Sequence, residues 1–79
     1  MKNQWVEADN ALQKTFHFKN FREALAFVNR VGEIAENLQH HPDICIKDYK
    51  NVFISTTTHD EGNTVTAKDR ELAAAVDTI

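Results

Sequence analysis

Cysteine is almost absent from this chain of 79 residues, where Cys45 stands alone. No internal disulfide can form, and neither a Cys-x-x-Cys pair nor a cysteine-rich zinc pattern is available, so the composition points to a reducing, intracellular setting. Proline and glycine are nearly as scarce, with one and two copies. That excludes a flexible linker, a low-complexity tract and a glycine-rich phosphate cradle. Lysine and arginine total nine against twelve acidic residues, giving a net charge of -3, and they are scattered along the chain. A nucleic-acid binder would show a basic stripe for the phosphates. No apolar run approaches a membrane span, and the first residues lead into Trp5-Val6-Glu7 rather than into the apolar core of a signal peptide. The expectation is a cytoplasmic protein with neither nucleic acid nor membrane among its partners. A chain this short makes one domain, taken as residues 1–79, and buries a modest share of its surface. A homo-oligomer is therefore expected. The sequence holds no internal repeat.

The elements follow from hydrophobic spacing and from turn and cap residues. Residues 5–8 and 11–18 read as strands around Asp9-Asn10, a pair that tolerates the positive φ angles of a tight hairpin. In the second strand Leu12, Phe16 and Phe18 share a face that Lys14 interrupts, which predicts a strand near a sheet edge. A helix fits residues 21–38. Asn20 with Glu23 makes its amino-terminal cap, and Phe21, Ala24, Leu25, Val28, Val31, Ala35 and Leu38 recur at helical spacing. Phe27 and Ile34 widen the stripe beyond what one sheet face needs, leaving a part of it for a subunit contact. Gly32 is the weak position, at about 1 kcal/mol relative to alanine. Pro42 is expected to end the helix. Residues 44–48 and 52–58 form a second hairpin, turning through Tyr49-Lys50-Asn51, with Tyr49 covering the sheet. Thr66, with Asp69 three residues on, caps a last helix carrying Leu72, Ala73 and Val76. The order β-β-α-β-β-α predicts an α+β fold: a four-stranded antiparallel sheet with helices packed on one face.

Against this ordinary frame stand the histidines. The run Glu36-x3-His40-His41-Pro42 is followed by Tyr49, His59 and Asp69, so three of the four histidines fall at a helix exit and a strand end. An imidazole titrates near pH 6.5 when unperturbed and exchanges protons at neutrality without special tuning. A cluster of them points to proton transfer. Glu36, one turn before His40, is placed to face that ring across an i, i+4 relation. Zinc is the other reading of such residues, but no His-x3-His or His-Glu-x2-His pair lies on a helix, and no metal is expected. His17, on the polar face of a strand, reads as an ordinary surface residue.

That spacing resembles the pterin-4a-carbinolamine dehydratase family, and the likeness extends through Trp5, the run Thr15-Phe16-His17-Phe18, Thr58-His59-Asp60 and Thr66-Ala67-Lys68-Asp69. The resemblance implies dehydration of a 4a-hydroxytetrahydropterin to the quinonoid dihydropterin in tetrahydropterin recycling, with pterin as substrate, no cofactor, and subunits associating as a homodimer or homotetramer. It implies catalytic roles for His40, His41 and His59, with His40 and His59 moving protons and His41 binding pterin or serving the alternative face. It also implies supporting or substrate-binding roles for Glu36, Thr57, Thr58 and Asp69, of which Asp69 has an equally good local task in capping its helix. In the resembled family the same fold also serves as a transcription-factor partner, and a related fold assists assembly of a carbon-fixing enzyme, so a non-catalytic binding module is the alternative. Three departures from the family pattern are visible. The chain begins about one helix late, Ile44 replaces a common tryptophan, and residues 60–65 run one residue longer than the usual glycine-rich loop, with a single glycine.

Overall fold

Asp9 and Asn10 both take positive φ, 52° and 62°, and their right-handed twist closes a two-residue hairpin between β1 (Val6–Ala8) and β2 (Ala11–His17). The computed structural model describes residues 4–79; the expectation drawn from the leading residues 1–3 lies outside them. After Lys19, Asn20 turns extended and its side chain accepts the Glu23 amide at 2.9 Å, opening α1 (Phe21–Leu38). A second hairpin joins β3 (Asp43–Lys47) to β4 (Asn51–Thr56). A short 3-10 turn (His59–Glu61) then leads to α2 (Ala67–Val76). The sheet is antiparallel with strand order β1-β2-β4-β3. The architecture is the expected α+β fold.

Both helices lie on one face. Ala24, Phe27, Val31 and Ala35 of α1 and Leu72 and Val76 of α2 form one core with Val52 and Ile54 of β4. Phe16 and Phe18 flank the Phe27 ring at centroid distances of 4.7 and 4.9 Å. Val31, Val52, Ile54 and Leu72 are completely shielded from solvent, and each such side chain contributes roughly 1.5–3 kcal/mol on leaving water. Phe27 and Ile34, read as surplus to the sheet face, are used by the fold itself, Phe27 in the core and Ile34 packed against it; the apolar residues that α1 leaves exposed are Phe21 and Leu25, at 49% and 43%. Among the described residues, no helix is long and apolar enough to cross a membrane.

Three local expectations give way to tertiary context. Lys14 does not mark an edge, because β2 lies between β1 and β4. Its charge is instead met on the helix side, where Asp77 sits 2.9 Å from its ammonium and the Phe16 ring lies 4.8 Å away. Trp5 donates to the same carboxylate at 3.0 Å, so the end of α2 is tied to the first hairpin. The end of α1 is not made by Pro42. Gln39 enters the left-handed region at φ 54°, its amide bonds Glu36 O and the His40 amide bonds Ala35 O, a Schellman closure three residues earlier. Finally, the β3–β4 turn is centred one residue earlier than expected. Asp48 and Tyr49 carry the positive φ angles there, and Tyr49 points outward at 61% exposure rather than covering the sheet.

Gly32 is a half-buried interior position of α1 where an added Cβ meets nothing within 4 Å. Gly32→Ala is expected to raise stability by about 0.5–1 kcal/mol through helix propensity alone. Urea titration would show a higher midpoint at unchanged slope; an unchanged or lower midpoint would mean that this glycine serves packing.

Candidate functional site

The site grows from the cap of α2. Thr66 opens the helix with an extended backbone, its hydroxyl accepts the Lys68 amide at 3.3 Å, and its own amide donates to Asp69 Oδ2 at 2.9 Å. This capping box leaves the Asp69 carboxylate wholly buried beneath the end of β4. Thr56 donates to Oδ1 at 2.6 Å and Thr58 to Oδ2 at 2.7 Å. The fourth partner is His40, whose Nε2 lies 2.6 Å from Oδ1. Burial by itself pushes the carboxyl up. The hydrogen bonds from His40, Thr56, Thr66 and Thr58 outweigh it and hold Asp69 down at about 2, from an ordinary 3.8. An ionised carboxylate can only accept, so His40 carries a proton on Nε2 and its Nδ1 is left for other work.

His40 reaches Asp69 because of the left-handed turn at Gln39. That same turn sends His41 back along α1, where its Nε2 meets Glu36 Oε2 at 2.6 Å on the surface. Glu36, read from the sequence as the partner of His40, therefore belongs to His41. The downstream histidine, His59, begins the 3-10 turn, and its Nδ1 lies 2.7 Å from Asn63 Oδ1. His40, His41 and His59 line one recess of about 250 Å3, together with Gln39, Thr57, Thr58, Asp60 and Lys68. A larger groove of about 1020 Å3 runs along α1 and β3 and includes His41 and Glu36 but neither His40 nor His59. We place the candidate site in the smaller recess, because proton-transfer groups rather than volume define it.

The two threonines are committed. Thr58 donates its hydroxyl to Asp69 and its amide to Thr64 O at 2.9 Å, and its carbonyl accepts the Asn63 amide at 3.1 Å, while the Thr57 hydroxyl donates to Asn10 O at 2.7 Å. Thr58 thus serves as framework beneath the histidines. His17 stands apart, its Nδ1 2.9 Å from Asn51 Oδ1 on another cleft. Among the described residues, no three His, Cys, Asp or Glu side chains form a group able to hold a metal ion; the three histidines line a recess without meeting at a point. Sequence reasoning missed Thr56 and Asn63, and also Gln39, Asp60 and Lys68 on the recess wall. Thr56 had a local signal, since alternate residues of β4 face the helices and a threonine among them needs a partner.

The model of the family described as pterin 4 alpha carbinolamine dehydratase matches residues 1–79. The chain belongs to this family. Among dehydratase-family relatives, a provisionally named pterin-4-alpha-carbinolamine dehydratase of Thermomicrobium roseum is 52% identical over 69 residues, covering 87% of this chain and 72% of the relative. Its counterpart from Sulfolobus acidocaldarius is 45% identical over 75 residues, covering 95% and 80%. A solved structure titled as a transcriptional coactivator/pterin dehydratase from Brucella melitensis superposes with a TM-score of 0.82 at 33% identity, over 96% of this chain and 79% of that one. A pterin dehydratase-like RuBisCO assembly factor of the alpha-carboxysome superposes at 0.73 with 23% identity, over 99% and 88%, and shares the fold.

The Asp69 cluster makes a stability test with a defined sign. A carboxyl held below its unfolded value stabilises the fold fully above that value and loses its contribution as the pH falls through the folded one. The difference between 3.8 and about 2 corresponds to about 2 kcal/mol. Asp69→Asn is expected to lose at least this much at pH 7, since an amide cannot accept four donors. The gap from wild type should hold down to pH 5 and narrow by about 2 kcal/mol between pH 4 and 2. Urea unfolding across that range would check it, and a gap independent of pH would refute the ionised cluster.

Proposed function

We propose that this chain dehydrates a 4a-hydroxytetrahydropterin to the quinonoid dihydropterin in tetrahydropterin recycling, using histidine acid–base chemistry. The observation that carries the reading is the grouping of His40, His41 and His59 around one small recess, with His40 fixed from behind by a buried carboxylate. Family membership and the relatives' names support the substrate class.

The reaction breaks the C4a–O bond and the N5–H bond of the pterin. The N5–H electron pair becomes the C4a=N5 double bond, the C–O pair leaves with the hydroxyl, and a delivered proton turns it into water. One proton is accepted and one is donated, so the chemistry calls for two positioned groups and for no metal, nucleophile or redox cofactor. In this reading His40 and His59 exchange those protons. His41, steadied by Glu36, binds the pterin or serves the opposite face. Asp69 orients His40, and Thr58 supports Asp69. Thr57, whose hydroxyl is engaged elsewhere, is left to offer backbone groups at the recess wall. A recess this small suits a compact planar ring system better than a drug-sized ligand, for which about 300–1,000 Å3 is usual.

A second reading, a protein-binding or assembly module on the same fold, draws on the exposed apolar pair Phe21 and Leu25 on α1. That surface is compatible with a homo-oligomer in either case.

The decisive measurement is the dehydration rate of 4a-hydroxytetrahydropterin generated in a coupled hydroxylase assay. His40→Ala and His59→Ala are each expected to lower the rate about 10²–10⁴-fold, with His17→Ala at the wild-type level. A folded wild type no faster than buffer would defeat the dehydratase reading in favour of the binding module.

A further inference from the structure

His59 differs from His40 in how it is held. It is solvent-exposed at the start of a 3-10 turn, and its ring is held by the Asn63 side chain where His40 is held by a buried carboxylate. An unsupported imidazole in such a turn would sample several rotamers and both neutral tautomers, only some of which aim a usable nitrogen into the recess. The loop that follows supplies the missing constraint. Gly62 and Asn63 both adopt positive φ, 79° and 59°, which folds the chain back on itself. The Asn63 amide then donates to Thr58 O at 3.1 Å, and Thr64 pairs with Thr58 as an isolated bridge. Thr58 is itself buried and held by Asp69 and Thr66, so the backbone of Asn63 is pinned to the residue immediately before His59. From there its side-chain oxygen reaches His59 Nδ1 at 2.7 Å.

We propose that Asn63 is a positioning residue for His59: its amide oxygen holds the ring by Nδ1–H and presents Nε2 to the recess as the proton-exchanging atom. This rests on the dehydratase reading above. An amide oxygen can only accept, so the ring nitrogen facing it must carry the hydrogen, and the neutral ring then keeps its lone pair on Nε2. The two rings are thereby held by partners of different charge, a carboxylate behind His40 and an uncharged amide behind His59. The other charged or titratable groups lining the same recess are His41, Asp60 and Lys68. Asn63 falls within residues 60–65, the stretch read from the sequence as one residue longer than the family's usual glycine-rich loop.

The test uses the full chain. Long-range ¹⁵N–¹H correlation spectra of the histidine rings are expected to show neutral His59 with its hydrogen on Nδ1. Asn63→Gly keeps the left-handed backbone without strain and removes the acceptor. The Nε2–H tautomer should then gain population, and kcat/KM for 4a-hydroxytetrahydropterin should fall about three- to tenfold, the range of one lost hydrogen bond. Asn63→Asp retains an acceptor and adds charge, so the ionisation of His59 should move to higher pH and carry a limb of the pH-rate profile with it. A purely structural loop residue would move neither. Wild-type His59 protonated on Nε2, an unchanged tautomer in Asn63→Gly, or an unmoved ionisation in Asn63→Asp would each overturn the assignment. The ring spectra need no substrate. A wild type without dehydration would sink the enzymatic reading, while the spectra would still decide whether Asn63 sets the tautomer.

Discussion

The buried carboxylate of Asp69 joins three parts of the chain that are far apart in sequence. It accepts from the cap of α2, from two hydroxyls at the end of β4 and from the ring that follows α1. An isolated charge in that position would be costly to bury, and four donors are what make it tolerable. Each donor is fixed in turn. Thr66 donates to Thr58, because Thr58 gives its own hydrogen to Asp69 and Thr66 already accepts from the Lys68 amide. The hydroxyl directions therefore run one way, from the helix cap through Thr58 into the carboxylate. Such a fully satisfied network specifies one arrangement, since any rotation leaves a buried group unpaired.

The recess inherits its order from that cluster. Its histidines come from a helix exit and a strand exit at the same end of the molecule, the usual place for chemistry to sit on a rigid scaffold. His40 is anchored most deeply, His59 through its own loop, and His41 at the surface through Glu36. The adjacent pair His40-His41 does not diverge by chance. A helix that continued to Pro42 would carry the two rings about 100° apart on one cylinder. The left-handed step at Gln39 instead turns one toward the interior and the other back along the helix.

Element identity was legible in the sequence wherever a local pattern sufficed. The span Phe21–Leu38 follows from apolar spacing and the Asn20–Glu23 cap, and the first hairpin from Asp9-Asn10. That His40, His41 and His59 come together was legible through their family spacing, but their partners and much of the recess wall were not. Glu36 is four residues from His40 and five from His41, and the local i, i+4 rule favoured the wrong one because it assumes that the helix continues. Thr56 and Asp69 are thirteen residues apart and meet only once β4 and α2 are docked. Lys14 looked like an edge signal because its neutralising partner, Asp77, lies at the far end of the chain. In each case the competing term was a long-range contact with no periodicity to announce it.

Asp69 is at once the third residue of α2 and the support of His40, so a molecule whose last helix has come loose cannot hold its site. Any opening of α2 would withdraw Asp69 from His40 and cost the recess its order. The ties from Trp5 and Lys14 to Asp77, at the opposite end of the helix and remote from the recess, act on the same equilibrium. They make the first hairpin a distant support of the ring geometry at the histidines.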